Sequence, residues 1–289
     1  MAKATFKEPG RVLDALITRT HTWIARPLSQ KIFFLHLHKC GGTSISHAIK
    51  DHYHTLNILQ DPTRGINAGV SSKAAMMNLG QAIPDGSQPL SQITDSRLED
   101  EILKYREKLL AYYLCQSQVK YISGHFCFSA NLYDQFSSHY NFITVLRHPI
   151  QRLLSFYYFS RYKSADRPGR ITINLQEYLE TRRSISAGYY VRMLGGVDPS
   201  GDYQSKWAIS RAKENLHKFK MVGFLENLDS FQTQFFHVFG RKLGIKKLNH
   251  SPKPQGEPPH NVTADIEAKL REICRADIEV YNYAKTVFA

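Results

Sequence analysis

Cysteine is scarce in this chain, with four residues in 289, and acidic side chains fall short of basic ones by 25 to 38. Cys40, Cys115, Cys127 and Cys274 lie far apart and form no CxxC pair. They make a poor zinc site and are too few to staple a chain of this length, so reduced thiols in a reducing compartment are expected. Long apolar runs are missing too: none approaches the roughly 20 residues of a membrane span. The first thirty residues lack a signal peptide's unbroken apolar core, because Arg11, Asp14, Arg19, His21 and Arg26 interrupt it. The expected location is the cytoplasm. Residues 11–28 carry Val12, Leu13, Leu16, Ile17, Trp23 and Ile24 at helical spacing, a basic amphipathic pattern that suits packing on the domain or peripheral contact with a membrane.

The acid deficit leaves a formal charge of +13. Such a charge implies an anionic partner, whether nucleic acid, a membrane surface, an acidic polymer or a nucleotide with several phosphates. Charge alone does not choose among them. Neither repeats nor low-complexity tracts are present, and the length fits one large domain, taken as 31–289 behind an extension at 1–30.

Strands and helices alternate along that domain. Lys31 to Leu37 (KIFFLHL) is a short apolar run of β-formers. Residues 38–44 (HKCGGTS) follow, then a helix from Ile45. Residues 60–95 are polar and rich in turn formers, a long surface excursion, and Ser96 to Gln118 has helical periodicity. Val119 to Ser123 reads as a second strand, ending at Gly124-His125-Phe126. Asn141 to Leu146 is a third, stopping at Arg147-His148-Pro149, where the proline suits the first turn of a helix over Ile150 to Arg161. The remainder is mainly helical: Asn174 to Arg183, Ser186 to Leu194, Tyr203 to His217, Leu228 to Phe239 and a closing helix from Thr263 to Thr286. A short strand is expected at Phe219 to Gly223 and a loop at His250 to His260. This pattern predicts an α/β fold: a P-loop-like parallel sheet flanked by helices, with a largely helical C-terminal half.

Chemistry concentrates at the strand-to-helix junctions. After the first strand, Gly41 and Gly42 let the backbone approach an anion, Thr43 and Ser44 open a helix whose free N–H groups point at it, and Lys39 adds a mobile cation. Lys39 precedes both glycines, whereas a Walker A lysine follows the second, so an ATP or GTP hydrolase is disfavoured. A Gly-Gly turn with an ordinary N-cap is the plain alternative. After the third strand, Arg147 and Ser155 are eight positions apart, about two helical turns, and can share one anion.

LHLHKCGGTSI resembles the 5′-phosphosulfate loop of sulfotransferases, above all the carbohydrate sulfotransferases of the heparan sulfate 2-O type. ITVLRHPIQRLLS resembles the segment that binds the 3′-phosphate in the same family. The resemblance implies that Lys39 contacts the bridging oxygen of the leaving group, that Cys40, Gly41, Gly42, Thr43 and Ser44 cradle the 5′-phosphosulfate, and that Arg147 and Ser155 hold the 3′-phosphate of 3′-phosphoadenosine 5′-phosphosulfate (PAPS). Two loop positions depart from the family: His38 replaces proline, and Cys40 replaces threonine or alanine and adds a thiol open to oxidation. His148 stands where the family has aspartate. SGHFCF resembles the segment with the family's catalytic base, which implies that role for His125; a second family histidine two residues earlier is Ser123 here.

Sulfuryl transfer to an alcohol needs a proton acceptor, and imidazole titrates in the right range. His125 ends a strand at the sheet edge where α/β ligands bind. A hydrogen-bonded structural histidine is the alternative there, with His36 read as buried and His38 as the fallback base. No metal is expected, because a sulfuryl group carries less charge than a phosphoryl group and Lys39 serves the leaving side. Arg161, Lys163, Arg167, Arg170, Arg182 and Arg183 either line a groove for an anionic glycan or form a solvated basic face. The function implied is transfer from PAPS to a carbohydrate hydroxyl. A small lipid or polyketide alcohol as acceptor, and a basic nucleic-acid-binding protein, stand as alternatives; against the last, no helix-turn-helix, zinc-finger or ribonucleoprotein signature is evident.

Overall fold

The computed structural model describes residues 28–53, 66–67, 95–163, 170–181, 186–246 and 262–289. The apolar runs found by sequence become strands, slightly shortened or shifted: β1 (Lys31–Leu35), β3 (Tyr121–Gly124), β4 (Tyr140–Leu146) and β5 (Met221–Phe224). A two-residue β2 (Ile66–Asn67) lies inside the stretch read as an excursion. The five pair in the order β2-β3-β1-β4-β5, and every pairing is parallel. Almost every residue of β1, β3, β4 and β5 is buried. That is the signature of a parallel sheet covered on both faces, and it explains why the runs are continuously apolar and not alternating.

Helices supply the cover. They are α1 (Gly42–Lys50), α2 (Asp95–Leu114), α3 (Ala130–Phe136), α4 (Pro149–Tyr162), α5 (Leu175–Thr181), α6 (Tyr189–Gly195), α7 (Lys206–Leu216), α8 (Leu228–Phe239), α9 (Ala264–Ile273) and α10 (Arg275–Phe288). Alternate residues of β1 point to opposite layers. Phe33 and Leu35 join a core built with α2, α6, α7 and α10. Ile32 and Phe34 face α1 and the Phe231, Phe235 and Phe239 stripe of α8, a layer that also takes in Leu28. A third apolar cluster ties α4, α5 and α9 together through Leu153, Tyr178 and Leu270.

The single closing helix expected from Thr263 is two helices. The break falls at Cys274, which is buried and leaves helical geometry (φ −88°, ψ 6°). It lets α9 pack on α5 while α10 packs on α4, α6, α7 and β5. Helix α3 was not expected at all; it is short, and its N-cap Ser129 accepts a hydrogen bond from Leu132 N–H. The loop at 250–260 lies outside the described residues, as do residues 1–27.

Because all strands run the same way, their carboxyl ends share one edge. β1 is central, with β3 on one side and β4 on the other. Chain order therefore reverses about β1, the place where open α/β sheets form a ligand crevice.

Candidate active site

Three junctions meet at that edge. The β1 exit carries His36, His38 and Lys39 into α1, the β3 exit carries His125, and the β4 exit carries Arg147 into α4.

The β1 loop is conformationally strained. Lys39 adopts φ 64°, the one non-glycine residue with positive φ among those described, and Gly41 adopts φ 75°. A side chain in this left-handed region costs about 1–2 kcal/mol. The neighbouring core outweighs that cost, because burying one Phe or Ile stabilises by about 1.5–3 kcal/mol and Ile32, Phe33 and Leu35 are all 0 % exposed. Left-handed residues on either side of Cys40 turn the chain sharply into α1, with the Cys40 N–H itself directed back to Leu37 O. The first turn of α1 adds the positive end of the helix dipole to this turn.

The two glycines have different reasons. A Cβ on Gly41 would fall 2.6 Å from Leu225 Cδ1, besides its positive φ. A Cβ on Gly42 would fall 1.9 Å from His36 Cδ2. What Gly42 makes room for in this structure is an imidazole. Cys40 also departs from the expectation of an oxidisable thiol. It is 1 % exposed, burial pushes its pKa up to about 11, and its N–H is turned toward Leu37 O at 3.4 Å. A buried, protonated thiol is a poor nucleophile.

Lys39 and Arg147 are brought together. Arg147 Nη1 donates to Lys39 O at 3.2 Å, and Lys39 Nζ rests 3.9 Å from the centre of the Phe159 ring. Burial first, and then the charge of Arg147, lower the Lys39 pKa. Two adjacent cations make a place where an anion is favoured. Ser155 lies on the stripe of α4 that holds Arg152, Phe156 and Phe159, spaced three and four residues apart. Phe159 touches Lys39, and the Phe156 ring lies 6.4 Å from that of His38, so this stripe faces the loop. His148 N–H donates to Glu226 Oε1 at 2.7 Å, and Tyr281 donates to the other carboxylate oxygen. Charge removed from position 148 thus reappears beside it on Glu226.

His125 has a defined tautomer. Its Nδ1 is 2.6 Å from His36 O. A carbonyl only accepts, so Nδ1 carries the hydrogen and Nε2 keeps its lone pair. Arg106 Nη1 donates to the His125 carbonyl at 3.1 Å. The His38 ring stacks on His125 at 3.5 Å and the His36 ring lies 4.5 Å away. Sequence reasoning took His125 as the base, His38 as the fallback and His36 as a buried strand residue; the fold packs the three into one cluster. Burial lowers all three pKa values, His125 to about 4 and His36 to about 3, with His38 well below its ordinary value. Mutual repulsion adds to this for His36 and His38, while the bond to His36 O partly opposes it for His125. All three are neutral at pH 7.

Several supporting residues were missed. Tyr189, Tyr190 and Asp277 hold the junctions from behind, and Arg152 is 3 % exposed with its guanidinium 4.0 Å from the Tyr189 ring. A basic residue five positions after Arg147, one turn from Ser155, was the available signal for Arg152. Of the basic residues considered for a groove, Arg161 is committed to the carbonyls of Ile171 and Thr172, and Arg170 is exposed. Lys163 is partly exposed, and Arg167, Arg182 and Arg183 lie outside the described residues.

Comparison with known proteins agrees with this architecture. The family model described as "Sulfotransferase family" matches residues 21–284. The chain is 26 % identical over 175 residues to heparan sulfate 2-O-sulfotransferase 1 of Gallus gallus, and 26 % over 172 residues to that of Xenopus laevis. Each match covers 51 % of this chain and 47 % of the relative, so the chain spans about half the length of the curated relatives it matches.

Proposed function

Since this chain belongs to the sulfotransferase family, we propose that it transfers a sulfuryl group from PAPS to a hydroxyl of a carbohydrate. The observation that carries the reading is the meeting of Lys39, Arg147 and the His125 cluster at the carboxyl ends of β1, β4 and β3. PAPS supplies the activated sulfuryl group.

The residues fit that ligand. The left-handed loop and the first turn of α1 offer amides for the 5′ end, while Arg147 and Ser155 serve the 3′-phosphate. Lys39 stabilises charge on the leaving side, which grows toward the transition state. His125 takes the acceptor's proton on Nε2. Its Nδ1–H is held by His36 O, so the base keeps one tautomer and one orientation. Being neutral, His125 is ready to accept without first losing a proton. A carbohydrate acceptor is supported by the likeness to the two heparan sulfate 2-O-sulfotransferases and by the charge of +13, which suits a polyanionic chain. The cytoplasm stays the proposed location.

Incubation with radiolabelled PAPS, a panel of glycans and a panel of small alcohols tests this. Label on a glycan is the expected result. Label on small alcohols alone would move the acceptor class. Thermal stabilisation by an oligonucleotide but not by 3′-phosphoadenosine 5′-phosphate (PAP) would overturn the enzyme reading.

A further inference from the structure

Tyr189 and Tyr190 open α6, and their hydroxyls are used on the backbone of the two anion-binding junctions. Tyr189 Oη accepts from His38 N–H at 2.8 Å. Tyr190 Oη accepts from Arg147 N–H at 2.9 Å and donates to the Arg147 carbonyl. It is also 3.4 Å from Cys40 Sγ. The one phenolic hydrogen is committed to Arg147 O, so any hydrogen in that third contact comes from the thiol, which also donates to His38 O at 3.6 Å. Tyr190 is 0 % exposed.

The pair is fixed from behind. Asp277 on α10 is itself 0 % exposed, and its carboxylate accepts from the N–H groups of Tyr189 (2.9 Å), Tyr190 (2.7 Å) and Val191 (3.3 Å). A carboxylate on the first amides of a helix answers both their missing partners and the helix dipole. Tyr190 therefore joins a rigid point in the core to both junctions at once. A phenylalanine would fill the same space, so packing does not explain the hydroxyl. Cys40 is thereby a small buried neighbour of Tyr190 whose thiol also donates to His38 O on the same loop.

We infer that Tyr190 is a positioning residue that couples the 5′-phosphosulfate loop to the 3′-phosphate junction, so that a ligand filling one presets the other. Arg147 moves with Tyr190 because its N–H and C=O are both bonded to the phenol, and Cys40 ties the loop to the same oxygen. The direct bond from Arg147 Nη1 to Lys39 O closes the circuit. This inference rests on the nucleotide reading proposed above.

Calorimetric affinities of PAP, AMP and adenosine 3′-monophosphate, measured for the wild type and Tyr190→Phe, test it. The variant keeps the ring and loses only the oxygen. PAP binding should weaken about five- to twentyfold, while each monophosphate changes less than about twofold, because only a ligand that spans both junctions uses the coupling. An equal loss for all three ligands, or unchanged PAP affinity in a folded variant, overturns the coupling and leaves the nucleotide reading standing. Should Tyr190→Phe not fold, Cys40→Ala removes the other arm, with a loss of about threefold expected for PAP alone; the same loss for the monophosphates overturns the coupling. A wild type that binds PAP no more tightly than the monophosphates overturns the nucleotide reading, and the coupling with it.

Discussion

At the exits of β1 and β3 the sheet presents His36, His38 and His125, three imidazoles packed ring to ring and kept neutral by burial. At the exits of β4 and β5 it presents Arg147 and Glu226, ionisable side chains that are held by neutral groups, the Lys39 carbonyl for the first and the His148 N–H and Tyr281 hydroxyl for the second. One half has pushed charge out, and the other has gathered it. Proton transfer needs a group that is neutral at working pH, whereas phosphate recognition needs permanent charge. Under the proposed function the two tasks would lie on either side of the central β1, with Lys39, from the β1 loop, as the cation between them.

The sharpest way to break this division is His125→Ala. Turnover should fall by about 10²–10⁴-fold, the usual contribution of a positioned base, with PAP affinity within about twofold of wild type. Transfer assays and calorimetry read the two quantities separately. A folded variant that keeps more than about a third of wild-type turnover would remove the neutral half from the chemistry. His125→Asn should fail likewise, because it cannot take the proton.

Lys39→Ala probes the boundary. Loss of a charge-assisted contact that strengthens toward the transition state predicts a kcat about ten- to a hundredfold lower, with a smaller rise in the KM for PAPS. An unchanged kcat would make Lys39 a ground-state binder and shift it wholly to the charged half. On that half, Arg147→Ala should weaken PAP binding about tenfold or more, and Ser155→Ala less, while both leave adenosine 5′-phosphosulfate nearly untouched. Equal losses for the two ligands would break the assignment.

The smallest expected effect concerns acid. Imidazoles whose folded pKa lies below 6.5 bind fewer protons than in the unfolded chain once pH drops under that value. Their stabilising contribution is complete above pH 6.5 and is lost as pH falls toward about 4, the His125 value. Melting temperatures recorded from pH 7.5 to 4.5 should decline by a few degrees below pH 6.5, and less steeply in His125→Asn. Equal slopes in the two proteins would mean that the neutral half does not resist protonation.

Much of the sheet was legible because a strand buried on both faces is written as a continuous apolar run. The first run lost its last two residues to give KIFFL, NFITVL gained Tyr140 at its start, and α8 fell at the expected residues 228–239. The positions of Arg147, His125 and Lys39 at the sheet edge were legible for a related reason: the first two follow a strand directly and Lys39 lies in the loop that leaves β1, so local order fixes the edge where each emerges. The histidine cluster was not, because it depends on the lateral order β3-β1-β4, which no local pattern states. Ser123, read as the place where a second histidine was missing, is buried in β3 with 0 % exposure, while His38 supplies an imidazole from the next strand. The break at Cys274 was hidden in an unbroken helical pattern, since neither Gly nor Pro marks it. Tyr190 and Asp277 were unreadable for the same reason as the cluster: 87 positions separate two residues whose atoms are 2.7 Å apart.

Gly42 and His36 occupy a single volume between them. A methyl at 42 and the imidazole in its present orientation at 36 cannot both stand, so one of them has to move. The two positions are therefore coupled: a side chain enters at 42 only where the ring at 36 turns aside or is lost. Their mutational effects should be non-additive, so a library that varies the loop while holding His36 fixed should be biased toward glycine at 42 whatever ligand it is selected to bind.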